Sequence, residues 1–333
     1  MVPRPDWRVA LLAGAVPAPS NPWRKWQSAG HNLQAYRVTT QGKTMLSPQQ
    51  IAQYHADGFI VVPGVVDADT IDALRQATQR IVAGAANVDT HDAVYDLEPG
   101  HTRAEPRVRR IKNPERVDPV FAALARHPGI ADCLQQLWDR RGVRFDISKL
   151  NMKSAGFGSP VEWHQDWAFY PHTNDDLAAV GVMLDDITPD NGPMQVVPGS
   201  HRGPVFDHHA DGYFCGAIDA LTPGLQLQSA RPCLGRAGDI TIHHVRAVHG
   251  SAPNTSGAPR RFLLLQYRCA DAWPLVTQPR SWDDWHAALV AGEETLEPRV
   301  AAVPVRLPFP SARRQGTIYE SQSDVKNRYF SAR

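Results

Sequence analysis

Apolar positions from Met45 to Trp138 fall into helix-like groups, whereas from Val143 to Tyr267 they fall into short runs broken by glycine and proline turns. Ser47 before Pro48 predicts a helix start, Gly58 its stop, and Phe59-Ile60-Val61-Val62 a strand directly after it. Asp67 or Asp69 opens a second helix whose Ile71, Leu74 and Ile81 form one apolar stripe. Asp118-Pro119 begins a further helical segment, and Gly129 to Trp138 reads as another. Strand runs then dominate. Val180 to Leu184, Asp239 to His244 and Arg261 to Tyr267 are separated or preceded by turns such as Gly156 to Pro160 and Gly235 to Gly238. Helices first and strands afterwards predict a mainly β fold with supporting α-helices, a double-stranded β-helix or cupin-like jelly roll braced on one side by the helices.

The same pattern divides the chain. Residues 1–44 carry Asp6 as their only acid and are expected to be an irregular N-terminal extension or a translation-start artefact. Residues 45–270 form the barrel domain, and 271–333 a C-terminal helical and irregular segment packed on the core. In that segment Ser281 with Asp284 predicts a capped helix from Trp282 to Val290, followed by a Pro-rich run from Pro304 to Pro310 and a polar tail. Simple packing is the expectation for it, with a cover over the barrel mouth or a dimer contact as the functional alternatives.

Composition narrows the partners. A chain of 333 residues with 42% hydrophobic content can bury a large single core. A net charge of +1 offers no basic footprint for nucleic acid. Cys133, Cys215, Cys233 and Cys269 show no metal or disulfide spacing, which points to buried thiols in a reducing, cytoplasmic compartment. The stretch Val9 to Val16 is a weak signal-like core that the nearby Asp6 argues against, and no run approaches the ~20 apolar residues of a membrane span. A monomer or homodimer acting on a small molecule is expected.

Chemistry concentrates at Trp163-His164-Gln165-Asp166-Trp167. Residues i and i+2 of a strand share a face, so His164 and Asp166 can serve one metal without bending the backbone. Two imidazoles and a carboxylate make a facial triad that leaves half of an octahedral ion open. His172, His201, His208, His209, His243, His244 and His249 compete for the third position, and His249 is chosen because it opens the turn toward the strand that holds Arg260. Strand-adjacent His249 and Arg260 would face one cavity across a ladder. His243 and His244 then read as solvated strand residues, and Asp207-His208-His209 as a loop facing substrate or water. Arg suits the far carboxylate of a metal-chelating organic acid because its planar fork stays charged and pairs bidentately.

The run Trp163 to Tyr170, the turn Asp190-Asn191-Gly192-Pro193-Met194, Val197-Pro198-Gly199-Ser200-His201, and His249-Gly250-Ser251 with Asn254, Ser256 and Arg260 resemble the phytanoyl-CoA dioxygenase family of iron(II)/2-oxoglutarate oxygenases. The resemblance implies that His164, Asp166 and His249 bind Fe(II), that Arg260 and Ser251 hold the distal carboxylate of 2-oxoglutarate, and that Lys112 also serves this cosubstrate. It implies consumption of O2, release of succinate and CO2, and hydroxylation or other oxidative tailoring of an unactivated C–H bond in a small-molecule or lipid-like substrate. Retention of Asp166 implies a hydroxylase or other oxidative tailoring enzyme and not a halogenase, because related halogenases replace this carboxylate with a small residue. Trp167, Phe169, Tyr170 and His172 follow the metal pair and are expected to line the substrate pocket. A cupin-type zinc hydrolase, which would leave Arg260 and Ser251 unexplained, and a non-catalytic metabolite-binding barrel that keeps the triad as a structural site are the rival readings.

Overall fold

Local signals start and stop the elements of the computed structural model, which describes residues 46–330 except Phe157, Gln278, Arg280 and Gln315. The N-terminal extension, residues 1–44, lies outside the described residues. In chain order the helical half comprises α1 (Pro48–Asp57), β1 (Phe59–Val62), α2 (Ala68–Gly84), β2 (Tyr95–Leu97), β3 (Val108–Lys112), α3 (Pro119–Leu124) and α4 (Pro128–Leu137). The strand half comprises β4 (Val143–Lys153), β5 (Val161–His164), β6 (Leu177–Met183), β7 (Met194–Val196), β8 (His209–Ala210), β9 (Tyr213–Phe214), β10 (Arg231–Pro232), β11 (Ile240–His244), β12 (His249–Ser251) and β13 (Arg260–Cys269). The last elements are α5 (Trp282–Ala287), β14 (Leu289–Ala291) and α6 (Ile318–Ser321). Ser47 closes a capping box with Gln50 on α1, and Gly58 ends that helix at φ 82°, where a side chain would be strained. Asp67 and Asp118 cap α2 and α3.

The strands build two main antiparallel sheets and a minor two-stranded one, β8-β9. The eight-stranded sheet runs β1-β11-β6-β13-β4-β3-β2, with β14 added to β4, and the four-stranded sheet runs β10-β7-β12-β5. Alternation along β13 explains its unbroken apolar run: Leu263, Leu265 and Tyr267 join the core beneath the helices, while Phe262 and Leu264 face the sheet interior with Met194 and Val196. A strand buried on both faces shows no polar alternation. Ile71, Leu74 and Ile81 of α2 enter the helix-side core.

Two expectations need correction. The helix expected from Trp282 to Val290 ends at Ala287, because Leu289 and Ala291 pair with Arg144 and Val143 and so extend the large sheet. His249 and Arg260 are not on adjacent strands: β12 belongs to the small sheet and β13 to the large one, so the two side chains meet across the space between sheets.

Candidate active site

The candidate metal ligands come from neighbouring strands of the small sheet. His249 on β12 stands opposite His164 on β5 in the antiparallel register, with ring centroids 4.1 Å apart. Gln165 continues extended at φ −118° and ψ 126°, so Asp166, the first residue of a 3-10 turn, returns to the side of His164. The Asp166 Oδ1 lies 3.7 Å from His164 Nε2, and its Oδ2 lies 4.0 Å from His249 Nε2. Donor atoms of all three lie within 4.8 Å of one another.

Hydrogen bonding aims these donors. The Nδ1 of His164 bonds to the Glu162 carbonyl at 2.8 Å, and that of His249 to the Ala247 carbonyl at 3.0 Å. Each ring therefore donates from Nδ1 and keeps its Nε2 lone pair for the site. Burial holds His164 well below the usual imidazole range and lowers His249 to about 4, its neighbour His243 adding to the effect. For Asp166 burial acts upward, but the Lys149 ammonium 3.9 Å away and the surrounding imidazoles outweigh it and hold the carboxyl well below its ordinary value. Two neutral imidazoles and one carboxylate are the donor set that ferrous iron accepts.

The remaining histidines are redistributed. His208 is buried and not a solvated loop residue: its Nε2 accepts the Gln165 N–H at 2.9 Å, clamping the peptide between the first two ligands. His243 is fully buried with its Nε2 3.7 Å from Asp166 Oδ2, so the solvated-strand expectation fails for it as well. His209 pairs with Asp207, and His244 lies 3.9 Å from Asp175. No signal in the local sequence separates these roles, because each depends on which distant strand lies opposite.

A cavity opens beside the triad between the sheets. Alternate residues of two paired strands line it, Lys149, Asn151 and Lys153 from β4 and Arg260, Phe262 and Leu264 from β13, as the two-residue period requires. Arg260 is 2% exposed and donates to the Gly192 carbonyl. Burial lowers its pKa to about 10, which leaves it cationic at neutral pH. Lys153 donates to Ser251 Oγ at 2.9 Å and to the Ala252 carbonyl. Burial and then the neighbouring Arg260 place its ammonium well below the lysine range.

Lys112 is not among the cavity-lining residues; its ammonium sits 3.3 Å from Asp96. It stands across the ladder from Lys149, which does line the cavity. Of the four aromatic candidates, Phe169 places its ring edge-on to His164 at 6.0 Å, and Tyr170 donates to Gln266 Oε1 at 3.1 Å. Trp167 is instead a fully buried core residue whose indole N–H donates to the Pro304 carbonyl at 2.8 Å. His172 is also buried, bonded to the Tyr170 carbonyl at 2.9 Å. Ile318 and Tyr319 line the cavity from the C-terminal segment, for which simple packing is the sequence expectation and a cover over the barrel mouth an alternative. The Thr317-x-x-Glu320 capping box was the available signal for structure there.

Comparison with known proteins agrees with this arrangement. The family model for phytanoyl-CoA dioxygenase matches residues 54–262. A probable alpha-ketoglutarate-dependent hypophosphite dioxygenase from Stutzerimonas stutzeri is 35% identical over 290 residues, covering 85% of this chain and 99% of that protein. An L-proline trans-4-hydroxylase from Streptomyces griseoviridis is 29% identical, covering 65% of this chain and 84% of that protein. Among solved structures, EctD from S. alaskensis with bound Fe superposes with a TM-score of 0.59 at 25% identity, over 78% of this chain and 89% of that one. The fold is the jelly roll of the 2-oxoglutarate oxygenases, and the protein is an iron- and 2-oxoglutarate-dependent dioxygenase. It belongs to the phytanoyl-CoA dioxygenase family. This sets aside the zinc hydrolase and the non-catalytic barrel.

Proposed function

We propose that the enzyme inserts one oxygen atom of O2 into an X–H bond of a small polar substrate, giving X–OH while 2-oxoglutarate becomes succinate and CO2. His164, Asp166 and His249 hold the iron. Bound iron would supply the open positions and the redox couple for reducing O2, the net electrons coming two from oxidative decarboxylation of 2-oxoglutarate and two from the X–H bond. Arg260 takes the distal carboxylate of 2-oxoglutarate, with Ser251 and Lys153 beside it. The observation that carries this reading is the buried guanidinium of Arg260 in the same cavity as His164 and His249, with its Nε lacking a hydrogen-bond partner among the described residues.

Substrate choice follows from charge and size. Arg110 and Lys149 also line the cavity, so positive charge remains after one dicarboxylate is bound. This supports a compact anion. The likeness over nearly the whole length of the hypophosphite dioxygenase makes hypophosphite the first compound to test, where X–H is a P–H bond; a C–H bond of an amino-acid-like anion comes second. Balanced charge and four free, buried cysteines support a cytoplasmic enzyme, monomeric or homodimeric, without a nucleic-acid partner. Among the described residues no helix is long and apolar enough to cross a membrane.

Succinate release should require Fe(II), O2 and 2-oxoglutarate, and should rise when hypophosphite, L-proline or ectoine is supplied as the accepted substrate. Asp166→Ala should lose iron on desalting together with activity. An Asp166→Ala protein that retains both would remove the foundation of the reading.

A further inference from the structure

The cavity has a wall that the family match does not include. The matched region ends at residue 262, yet Ile318 and Tyr319 line the same cavity as Lys153 and Arg260. We propose that the C-terminal turn seals the cosubstrate cavity, with the Tyr319 ring keeping water from the ion pair between Arg260 and the distal carboxylate of 2-oxoglutarate. This rests on the assignment of Arg260 made above.

The turn bridges the gap between the two sheets. On the large sheet, Arg109 and Arg110 of β3 place their guanidinium carbons 4.4 and 4.9 Å from the centroid of the Tyr319 ring. Glu320 pairs with Arg109, and His91 Nε2 lies 3.5 Å from the same carboxylate. On the small sheet, Gln322 Oε1 accepts the Glu162 N–H at 2.9 Å on β5, the edge strand that carries His164. Gln322 Nε2 donates to the Gly216 carbonyl at 2.8 Å, and Phe330 stacks on Trp163 with centroids 5.5 Å apart. Thr317 and Glu320 close a capping box that holds the turn in shape. These contacts tie β3 of the large sheet to β5 of the small one, and the ring they present to the cavity is Tyr319.

The physical consequence concerns dielectric. A guanidinium–carboxylate pair sealed from water is several times stronger than a solvated one and is poorly screened by salt. Opening the wall would hydrate Arg260 without removing any group that touches the cosubstrate's charge. Loss of the seal therefore has a signature that simple loss of folding lacks: binding becomes weaker and also more salt-dependent.

The test is the dissociation constant of 2-oxoglutarate, read anaerobically from the charge-transfer absorption of the ferrous enzyme in low and high KCl. Tyr319→Ala should raise it about tenfold at low salt and further at high salt, whereas Tyr319→Phe, which keeps the ring, should stay within about threefold with the wild-type slope. Glu320→Gln, which does not touch the cavity but loosens the clamp on Arg109, should fall between them. Wild-type affinity in Tyr319→Ala, or weakened affinity with an unchanged salt slope, overturns the seal. If Tyr319→Ala does not fold, a wild-type slope in Glu320→Gln does the same. Absence of the absorption in the wild type would instead overturn the cosubstrate assignment itself.

Discussion

Arg260 and Lys153 occupy one row of the large sheet, paired directly across β13 and β4, and this pairing decides how the cavity treats an anion. The guanidinium stays charged, while burial and its neighbour discourage a second charge on Lys153. Arg260→Ala removes one partner of a buried charge pair and should weaken 2-oxoglutarate by about 2–5 kcal/mol, seen as a raised KM for the cosubstrate. Lys153→Met should weaken it by a smaller amount, on the order of 1–3 kcal/mol, through loss of the Ser251 contact. Lys112→Met should leave that KM unchanged, because its ammonium faces Asp96. A KM that responds to Lys112 but not to Lys153 would reverse the placement of these lysines. The family resemblance pointed to Lys112 for this role, whereas the lysines that line the cavity are Lys149 and Lys153.

At the scale of elements, the cavity depends on how closely β11, β6 and β13 approach. Gly181 lies opposite Thr241 on one side and Leu264 on the other. A methyl group built on it would fall 2.0 Å from Cζ of Phe262 and 2.6 Å from Oγ1 of Thr241. Gly181→Ala should therefore cost about 1–3 kcal/mol by overpacking and push Phe262 toward the cosubstrate. Thermal unfolding and the 2-oxoglutarate KM report the two effects separately; an unchanged Tm would mean that the strands have room to part. Helix starts were legible in the sequence because caps act within one turn, as Ser47, Asp67 and Asp118 do. The start of α5 at Ser281 was legible for the same reason, but its end at Ala287 and the strand after it were not, since pairing with Arg144 outweighs the local helical pattern.

For the whole molecule, buried neutral histidines set the response to acid. Burial lowers His208 to about 4 and His244 to about 3. A histidine unfolded near the ordinary value of 6.5 binds protons that the folded one refuses, so stability is complete above about 6.5 and is lost as pH falls through the folded value. His208 alone should account for about 2 kcal/mol between pH 7.5 and 5. Urea unfolding should show this loss in the wild type and a smaller one in His208→Leu; an equal loss in both would remove His208 from the account. Protonation would also take away the acceptor for the Gln165 N–H, linking acid sensitivity to the geometry between His164 and Asp166. By itself the sequence determined the periods, caps and turns that make helices precede a β sandwich, and the donor types that suit iron and a dicarboxylate, because these are properties of neighbouring residues. Only the tertiary structure decided that His208 braces the peptide between the first two ligands, which lysine enters the cavity, and that Tyr319 closes it. Those outcomes depend on which strands lie opposite one another, and register between distant segments is set by packing of the whole core.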